Sequence, residues 1–177
     1  MKNADSLVAL MTDVVKGFII HPEDLKVTQI SPTSRSLLIC LQPHAHDMGK
    51  VIGEGGAMVK ALRELASQMG EAVGLRVKVE VQEPVVGRRR HHDPFKHDPN
   101  YCAADDLLRL ERIARFIFDE CAQVRLLGDG PEHSTLVLMV DLTKFDCERE
   151  LVDALDVVWR ATGLAHGHKL SVEMEAL

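Results

Sequence analysis

Two segments of the chain, 93 residues apart, are similar enough to predict one structural unit built twice. Without a gap, the pairs that align are Ala61-Leu62 with Ala154-Leu155, Gly70 with Gly163, Gly74 with Gly167, and Val79-Glu80 with Val172-Glu173. The alternative is a coincidence between two similar α+β segments. Because 177 residues suffice for one ordinary domain or two small ones, the repeat favours two small α+β units.

Hydrophobic spacing in the first copy predicts the order helix, strand, strand, short helix, glycine loop, helix and strand. The first helix is predicted over about residues 5–20, and it stops at His21-Pro22 because proline lacks an N–H and restricts the residue before it. Strands are predicted at 25–30, 36–42 and 75–82. The long helix after the loop is predicted to start at Gly56 or Ala57, and the helices are expected to pack on a three-stranded sheet.

The second copy repeats this order without the glycine loop. Its predicted elements are a helix near 107–117, strands at 123–127 and 134–141, a helix at 151–162 and a strand at 169–174. Between the copies, residues 84–104 combine three prolines, three histidines and the run Arg88-Arg89-Arg90 with little apolar periodicity, which indicates a basic linker. The predicted divisions are therefore a domain at 1–83, a linker at 84–104 and a domain at 105–177.

Composition favours an unexported, cytoplasmic protein with no membrane segment. No apolar stretch reaches the roughly 18 residues that span a bilayer, the N-terminus lacks a signal-peptide pattern, and the four cysteines are scattered without C-x-x-C spacing. The net charge of −6 is uneven, since residues 1–82 hold 9 acidic and 9 basic residues whereas residues 107–177 hold 13 and 8. An anionic ligand should therefore prefer the first half, helped by the arginine run that follows it.

The segment Gly53-Glu54-Gly55-Gly56 is a G-x-x-G tetrad between two helical patterns, directly after Val51-Ile52. Its glycines lack the Cβ atoms that would hold a ligand's backbone away, and the helix that follows turns its N–H groups and positive dipole end toward the loop. Such a loop suits phosphate groups. The alternative is a tight helix–helix turn.

The tetrad and its surroundings resemble a KH domain of the type II order αββααβ, and more narrowly the small bacterial single-KH RNA-binding proteins of the KhpA kind. The residues that carry the resemblance are His21-Pro22-Glu23-Asp24, Asp47-x-Gly49-Lys50-Val51-Ile52-Gly53-x-x-Gly56 and Lys60-Ala61-Leu62-Arg63. The resemblance covers residues 1 to about 83. Through the internal repeat it extends to the second copy, as a degenerate αββαβ KH-like domain that lacks G-x-x-G.

The resemblance implies binding of single-stranded RNA with low sequence specificity, in which the loop clamps the backbone of about four nucleotides. The expected RNA-binding residues are Lys50, Val51, Ile52, Gly53, Glu54, Gly55, Gly56, Lys60, Arg63, Arg88, Arg89 and Arg90. Members of the family usually place lysine after the first glycine and often a basic residue after the last, where this chain has Glu54 and Ala57. Because a carboxylate 4 Å from a phosphate costs on the order of 1 kcal/mol even in water, weaker binding is expected.

Other functional classes find little support in the sequence. No nucleophile with a base, no carboxylate pair and no ligand set stands at a catalytic or metal-binding spacing, so no enzyme, cofactor or metal is expected. The histidines near Asp93 are interpreted as part of the polar linker, and His44 and His46 as exposed surface side chains. The acidic second unit is expected to pack, self-associate or recruit a protein partner. The alternative function is an assembly scaffold in which both units have lost RNA binding.

Overall fold

The computed structural model describes residues 2–84, 103–128, 133–141 and 149–176, which form two three-stranded sheets covered by helices. In chain order the elements are α1 (Ala4–Phe18), β1 (Lys26–Thr33), β2 (Ser36–Gln42), α2 (Met48–Ile52), α3 (Ala57–Glu71), β3 (Arg76–Val81), α4 (Ala103–Phe118), β4 (Ala122–Gly128), β5 (His133–Val140), α5 (Arg149–Ala165) and β6 (Lys169–Ala176). The predicted α+β class is confirmed, and these elements follow the predicted order. Most of the predicted linker lies outside the described residues, so the domain boundaries stay a prediction.

Both sheets have the same strand order and the same strand directions. In the first sheet β2 is central, antiparallel to β1 and parallel to β3, and in the second β5 is central between antiparallel β4 and parallel β6. Ile39 pairs with Val79 in the first sheet and Leu136 pairs with Val172 in the second. Val79 and Val172 are 93 residues apart, whereas Ile39 and Leu136 are 97 apart, so the two sheets pair alike but their central strands are offset by four residues.

The repeated glycines form the same turn in both halves. The carbonyl oxygens of Gly70 and Gly163 each accept a hydrogen bond at 2.8 Å from the backbone N–H five residues later. Four residues after each of them, Gly74 and Gly167 have φ values of +69° and +74°, in the left-handed region that glycine adopts without strain. The aligned glycine pairs therefore mark one helix-to-strand connection built twice.

The two halves meet through equivalent helices, because α3 packs against α5. A cavity of about 220 Å³ between them is lined by Ala57, Lys60, Ala61 and Glu64 of α3 and by Glu150, Asp153, Ala154 and Val157 of α5. Each of these four α5 residues lies 93 positions after one of the four α3 residues. A surface that faces its own counterpart is the isologous geometry of two-fold dimers, present here within one chain.

Helix α1 also contacts the second half. Arg112 Nη1 donates a hydrogen bond to Asp13 Oδ2 at 2.8 Å, and His166 Nε2 lies 3.2 Å from the carbonyl oxygen of Gly17. A Cβ on Gly17 would lie 3.1 Å from Arg109 Nη1, so the missing side chain permits the close approach. Buried hydrophobic side chains of both halves form one core cluster. Within the described residues, no helix combines the length and the hydrophobicity needed to cross a membrane.

Helix α1 ends two residues earlier than the sequence predicts. It stops at Phe18, and Ile19 is extended, with φ −94° and ψ 157°. The next two backbone N–H groups, of Ile20 and His21, donate to the carboxylate of Asp47 instead of to helix carbonyls. A side chain 26 residues further along the chain thus ends the helix before Pro22 would require it.

Candidate functional site

The G-x-x-G loop joins α2 to α3 and has a left-handed backbone at three glycines. The φ values are +75° at Gly53, +58° at Gly55 and +82° at Gly56. A Cβ on Gly53 would lie 2.6 Å from the backbone nitrogen of Met58, so only glycine fits there. A Cβ on Gly55 would meet no atom within 4 Å. The base of the loop is therefore tightly packed, while the space beside Gly55 is open to a ligand.

Helix α3 begins at Ala57, as the sequence predicts, with the loop directly before its N-terminus. Its N-cap residue, Gly56, provides no side-chain hydrogen bond to the first turn. The first N–H groups of a helix have no intrahelical acceptors, and together with the helix dipole they attract anions. The N–H of Ala57 bonds to the carbonyl oxygen of Glu54. The loop therefore leads into an electropositive helix end.

The buried carboxylate of Asp47 fixes the segment that precedes the loop. Its Oδ1 accepts a hydrogen bond from the N–H of Ile20 and its Oδ2 from the N–H of His21, both at 2.9 Å. Its backbone oxygen accepts two more, from the N–H groups of Lys50 and Val51 at 3.0 Å. A carboxylate that is fully buried requires such partners. Asp47 thereby holds the start of α2 against the end of α1.

Helix α3 has three faces with different neighbours. The core face consists of Met58, Leu62, Leu65, Ala66 and Met69, all buried. A second face lines the cavity with α5. The third face carries Val59 and Arg63, and Nε of Arg63 donates to the carbonyl oxygen of Val79 at 3.1 Å. Because Val79 lies on β3, one of the two outer strands of its sheet, this third face extends from the glycine loop to a sheet edge.

The predicted site residues differ in exposure, and so in whether a ligand can contact their side chains. Ile52 is 40% exposed beside the loop, whereas Val51 is fully buried and can only support the loop from the core. Lys60 is exposed and precedes Arg63 by three residues, so the two side chains are neighbours on the helix surface. The arginines at 88–90 lie outside the described residues, and their part in the site stays a prediction.

Lys50 and Glu54 set the charge next to the glycines. Lys50 is half-buried, and desolvation by burial lowers the pKa of Lys50, although the nearby carboxylate of Asp47 opposes this shift. Glu54 is exposed within the loop itself. The carboxylate of Glu54 therefore offsets part of the positive charge next to the loop.

Helix α5 contributes residues to the surroundings of the loop that the sequence analysis did not identify. A cavity of about 310 Å³ is lined on the loop side by Lys50, Gly53 and Glu54, and on the α5 side by Arg160 and Leu164. Arg160 is held by Asp156, with Nε and Oδ2 2.8 Å apart, and Leu164 is 58% exposed. No local sequence signal links these residues to the loop, because only the packing of α5 on α3 brings them there.

The prediction that His44 and His46 are exposed surface histidines is wrong. Both are half-buried and lie against the ring of His21. The ring centroids are 4.3 Å apart for His21 and His44, 4.8 Å for His44 and His46, and 5.8 Å for His21 and His46. The H-x-H spacing could not show this cluster, because its third member comes from the connection between α1 and β1.

Comparison with known proteins identifies relatives of the first half. Residues 8–81 match the family model described as KhpA/KhpB, KH domain. A protein named RNA-binding protein KhpA from Leifsonia xyli subsp. xyli (strain CTCB07) is 40% identical over 76 residues, which are 42% of this chain and 95% of the relative. Proteins of the same name from Listeria monocytogenes serovar 1/2a (strain ATCC BAA-679 / EGD-e) and Mycobacterium tuberculosis (strain ATCC 25618 / H37Rv) are 35% identical over 74 residues and 36% over 73. These cover 42% and 41% of this chain, and 96% and 89% of the relatives.

No solved structure matches the chain. The family match ends at residue 81, so the second half rests on the internal repeat and on its own geometry. Nearly the whole length of several curated relatives is nevertheless matched at 35–40% identity. With the glycine loop in its place between α2 and α3, the chain belongs to the KhpA/KhpB family of KH-domain proteins.

Proposed function

We propose that the chain binds single-stranded RNA, without catalysis, through Gly53–Gly56 and the third face of α3. The observation that carries the proposal is the loop itself, which has three left-handed glycines and open space beside Gly55 and leads into a helix end without a side-chain cap. Such an end binds phosphate through backbone N–H groups and the helix dipole. The curated relatives named above carry RNA-binding in their names, which agrees with this proposal.

The third face of α3 and the residues next to it would provide the remaining contacts. Arg63 on this face and Lys60, which borders the cavity with α5, offer cations to the phosphates. The exposed side chain of Ile52 on α2 and the half-buried Val59 offer an apolar surface to the bases. Phosphate contacts position a nucleic acid and carry no sequence information. Since aliphatic side chains also read no hydrogen-bonding edges, we expect low sequence specificity. Contacts from Arg88, Arg89 and Arg90 would add to the backbone attraction.

We assign the second half, residues 105–177, as a degenerate KH-like domain. Its strand order, strand pairing and glycine turn match those of the first half. Residues 141–148, between β5 and α5, contain no glycine at all, so a G-x-x-G loop is missing from the sequence. Its α5 instead packs against α3 and contributes Arg160 to the cavity beside the loop. The second half thus supports the first, and it is the part through which a protein partner would be recruited.

The alternative function is an assembly scaffold in which both units have lost RNA binding. One observation favours it, namely the carboxylate of Glu54 at the centre of the loop, where it would repel phosphate.

Two substitutions of Gly55 separate these functions. Because a Cβ at Gly55 meets no atom within 4 Å, Gly55→Asp and Gly55→Asn should both fold, and both residue types tolerate a left-handed backbone. The aspartate adds a negative charge and the asparagine is its neutral match. Fluorescence anisotropy with a labelled single-stranded RNA of about eight nucleotides, at about 50 and 200 mM salt, measures the affinity. We expect the RNA affinity of Gly55→Asp to be lower than that of Gly55→Asn by a factor of about five or more.

Equal affinities of the two variants would show that the loop does not meet phosphate. Undetectable binding of the unmodified chain at the lower salt concentration would reject RNA binding and leave the scaffold function. Thermal unfolding of both variants checks that the comparison is between folded proteins.

A further inference from the structure

We infer that His21, His44 and His46 form a binding site for a first-row transition-metal cation, best suited to Zn²⁺. One ring nitrogen from each histidine lies within 4.8 Å of one from the others. All three residues are half-buried, so a bound cation would be partly shielded from water. Imidazole nitrogen is a preferred ligand of zinc and its neighbours in the transition series, whereas Mg²⁺ and Ca²⁺ prefer oxygen.

The separations are close to those of a zinc site. Zn–N bonds of about 2.05 Å in a tetrahedron place two ligand nitrogens about 3.4 Å apart. To reach this spacing from separations of up to 4.8 Å, the ring nitrogens must move closer to one another by roughly 1.5 Å or less. Rotation about the side-chain torsions supplies such movements. Three imidazoles leave the fourth position of the tetrahedron to a water molecule.

The backbone already holds the two histidine-bearing segments together. His21 follows α1, and His44 and His46 precede α2, so the cluster joins two connections that are distant in sequence. The carboxylate of Asp47 accepts a hydrogen bond from the backbone N–H of His21 at 2.9 Å and so ties these connections together next to the rings. The chain therefore does not need to close a loop when a metal binds, which reduces the entropy cost.

Two of the three rings, those of His21 and His44, have a nitrogen that can offer a lone pair. Nδ1 of His21 lies 3.8 Å from Oε1 of Glu23, too far for a hydrogen bond, and the other ring nitrogen is the candidate metal ligand. That other nitrogen, Nε2 of His21, is shielded from solvent and has no hydrogen-bond partner within the described part of the chain. Nδ1 of His44 accepts a long hydrogen bond of 3.3 Å from the N–H of His46 and therefore carries a lone pair. A cation would replace that weak hydrogen bond.

Direct metal titration of the full chain tests the site. After chelator treatment and buffer exchange, Zn²⁺ is titrated by calorimetry, and Co²⁺ is used as a coloured substitute. The test variant is H21A/H44A/H46A, and the matched control is H91A/H92A/H97A, which removes three other histidines from the chain. We expect the unmodified chain to bind one Zn²⁺. The Zn²⁺ affinity of the test variant should be lower by a factor of about 100 or more, and that of the control variant should change little.

The Co²⁺ spectrum separates histidine ligands from the four cysteines, because thiolate ligands add an intense near-ultraviolet charge-transfer band that imidazole ligands lack. A visible spectrum without that band, lost in the test variant, supports the site. No stoichiometric Zn²⁺ binding, equal binding by both triple variants, or a thiolate band would overturn it. His44→Gln alone keeps the size of the side chain, so weaker metal binding in that variant supports the site even if H21A/H44A/H46A fails to fold.

Discussion

The two halves share a frame, by which we mean the three-stranded sheet, the glycine turn and the helix at the interface (α3 or α5). They differ in the connection that precedes this helix. In the first half this connection contains Asp47, α2 and the glycine loop, whereas in the second half it is residues 141–148, without a glycine. Strand pairing, the glycine turn and the α3–α5 contact are common to both. The frame and the ligand loop are therefore separable, since the same strand order forms in the half with the glycine loop and in the half whose connection contains no glycine.

Within the described ranges, each half also buries one carboxylate, and the two carboxylates bond to different neighbours. Asp47 bonds to the backbone at the end of α1 and so fixes the approach to the loop. Asp106 on α4 accepts a hydrogen bond from Arg109 at 2.9 Å, and Arg109 in turn lies against Gly17 of α1. The first carboxylate organises a candidate site, and the second belongs to the contact between the halves.

Alanine substitution of the two repeated glycines tests whether the frames of the two halves are equivalent, and we expect it to lower stability more than any other change proposed below. A Cβ on Gly70 would lie 2.5 Å from Cγ2 of Val77, and a Cβ on Gly163 would lie 2.6 Å from the carbonyl oxygen of His168. Because both sites are close-packed, Gly70→Ala and Gly163→Ala should each lower the free energy of unfolding by about 3 kcal/mol. Chemical denaturation measures both values.

The matched control for these substitutions is Gly49→Ala in α2, where a Cβ meets no atom within 4 Å. It should leave stability unchanged or raise it by about 0.5–1 kcal/mol, because alanine favours helix. If one of the two repeated glycines accepts alanine without loss and the other does not, the halves do not share the turn as closely as their hydrogen bonds indicate.

A smaller effect is expected where the halves differ, at Asp47. In Asp47→Asn the amide oxygen keeps one of the two backbone hydrogen bonds, while the amide NH₂ cannot accept the other. Loss of one hydrogen bond to a charged group should lower the free energy of unfolding by about 2 kcal/mol. RNA affinity of the folded variant should also fall, since α2 and the loop lose their fixed approach. Denaturation and anisotropy measure the two effects.

Asp106→Asn provides the comparison in the second half. Its effect should be confined to stability, because this carboxylate lies in α4 and bonds to Arg109. An Asp47→Asn protein with unchanged RNA affinity, or an Asp106→Asn protein that loses affinity, would contradict the separation of site and frame.

Much of the frame could be predicted from the sequence, because its signals are local or periodic. The 93-residue repeat, the start of α3 at Ala57 and the strand at 36–42 depend on spacing along the chain, and the structure agrees with each. What could not be predicted depends on packing between distant segments. Arg160 reaches the loop only because α5 packs on α3, and His21 meets His44 only where two connections lie side by side. A pattern within one element contains no information about such pairs.

The smallest expected effect concerns the charge inside the loop, which sets this chain apart from the family pattern. Glu54→Lys replaces a repulsion of phosphate by an attraction, so RNA should bind about fivefold more tightly at low salt, with a similar gain for different RNA sequences. One added phosphate contact should also steepen the dependence of log K on log salt by about 0.7. Glu71→Lys changes the net charge equally at the far end of α3 and should have little effect. If both variants gain affinity alike, the overall charge and not the loop governs binding, and the distinction between the two halves at Gly53–Gly56 would lose its functional meaning.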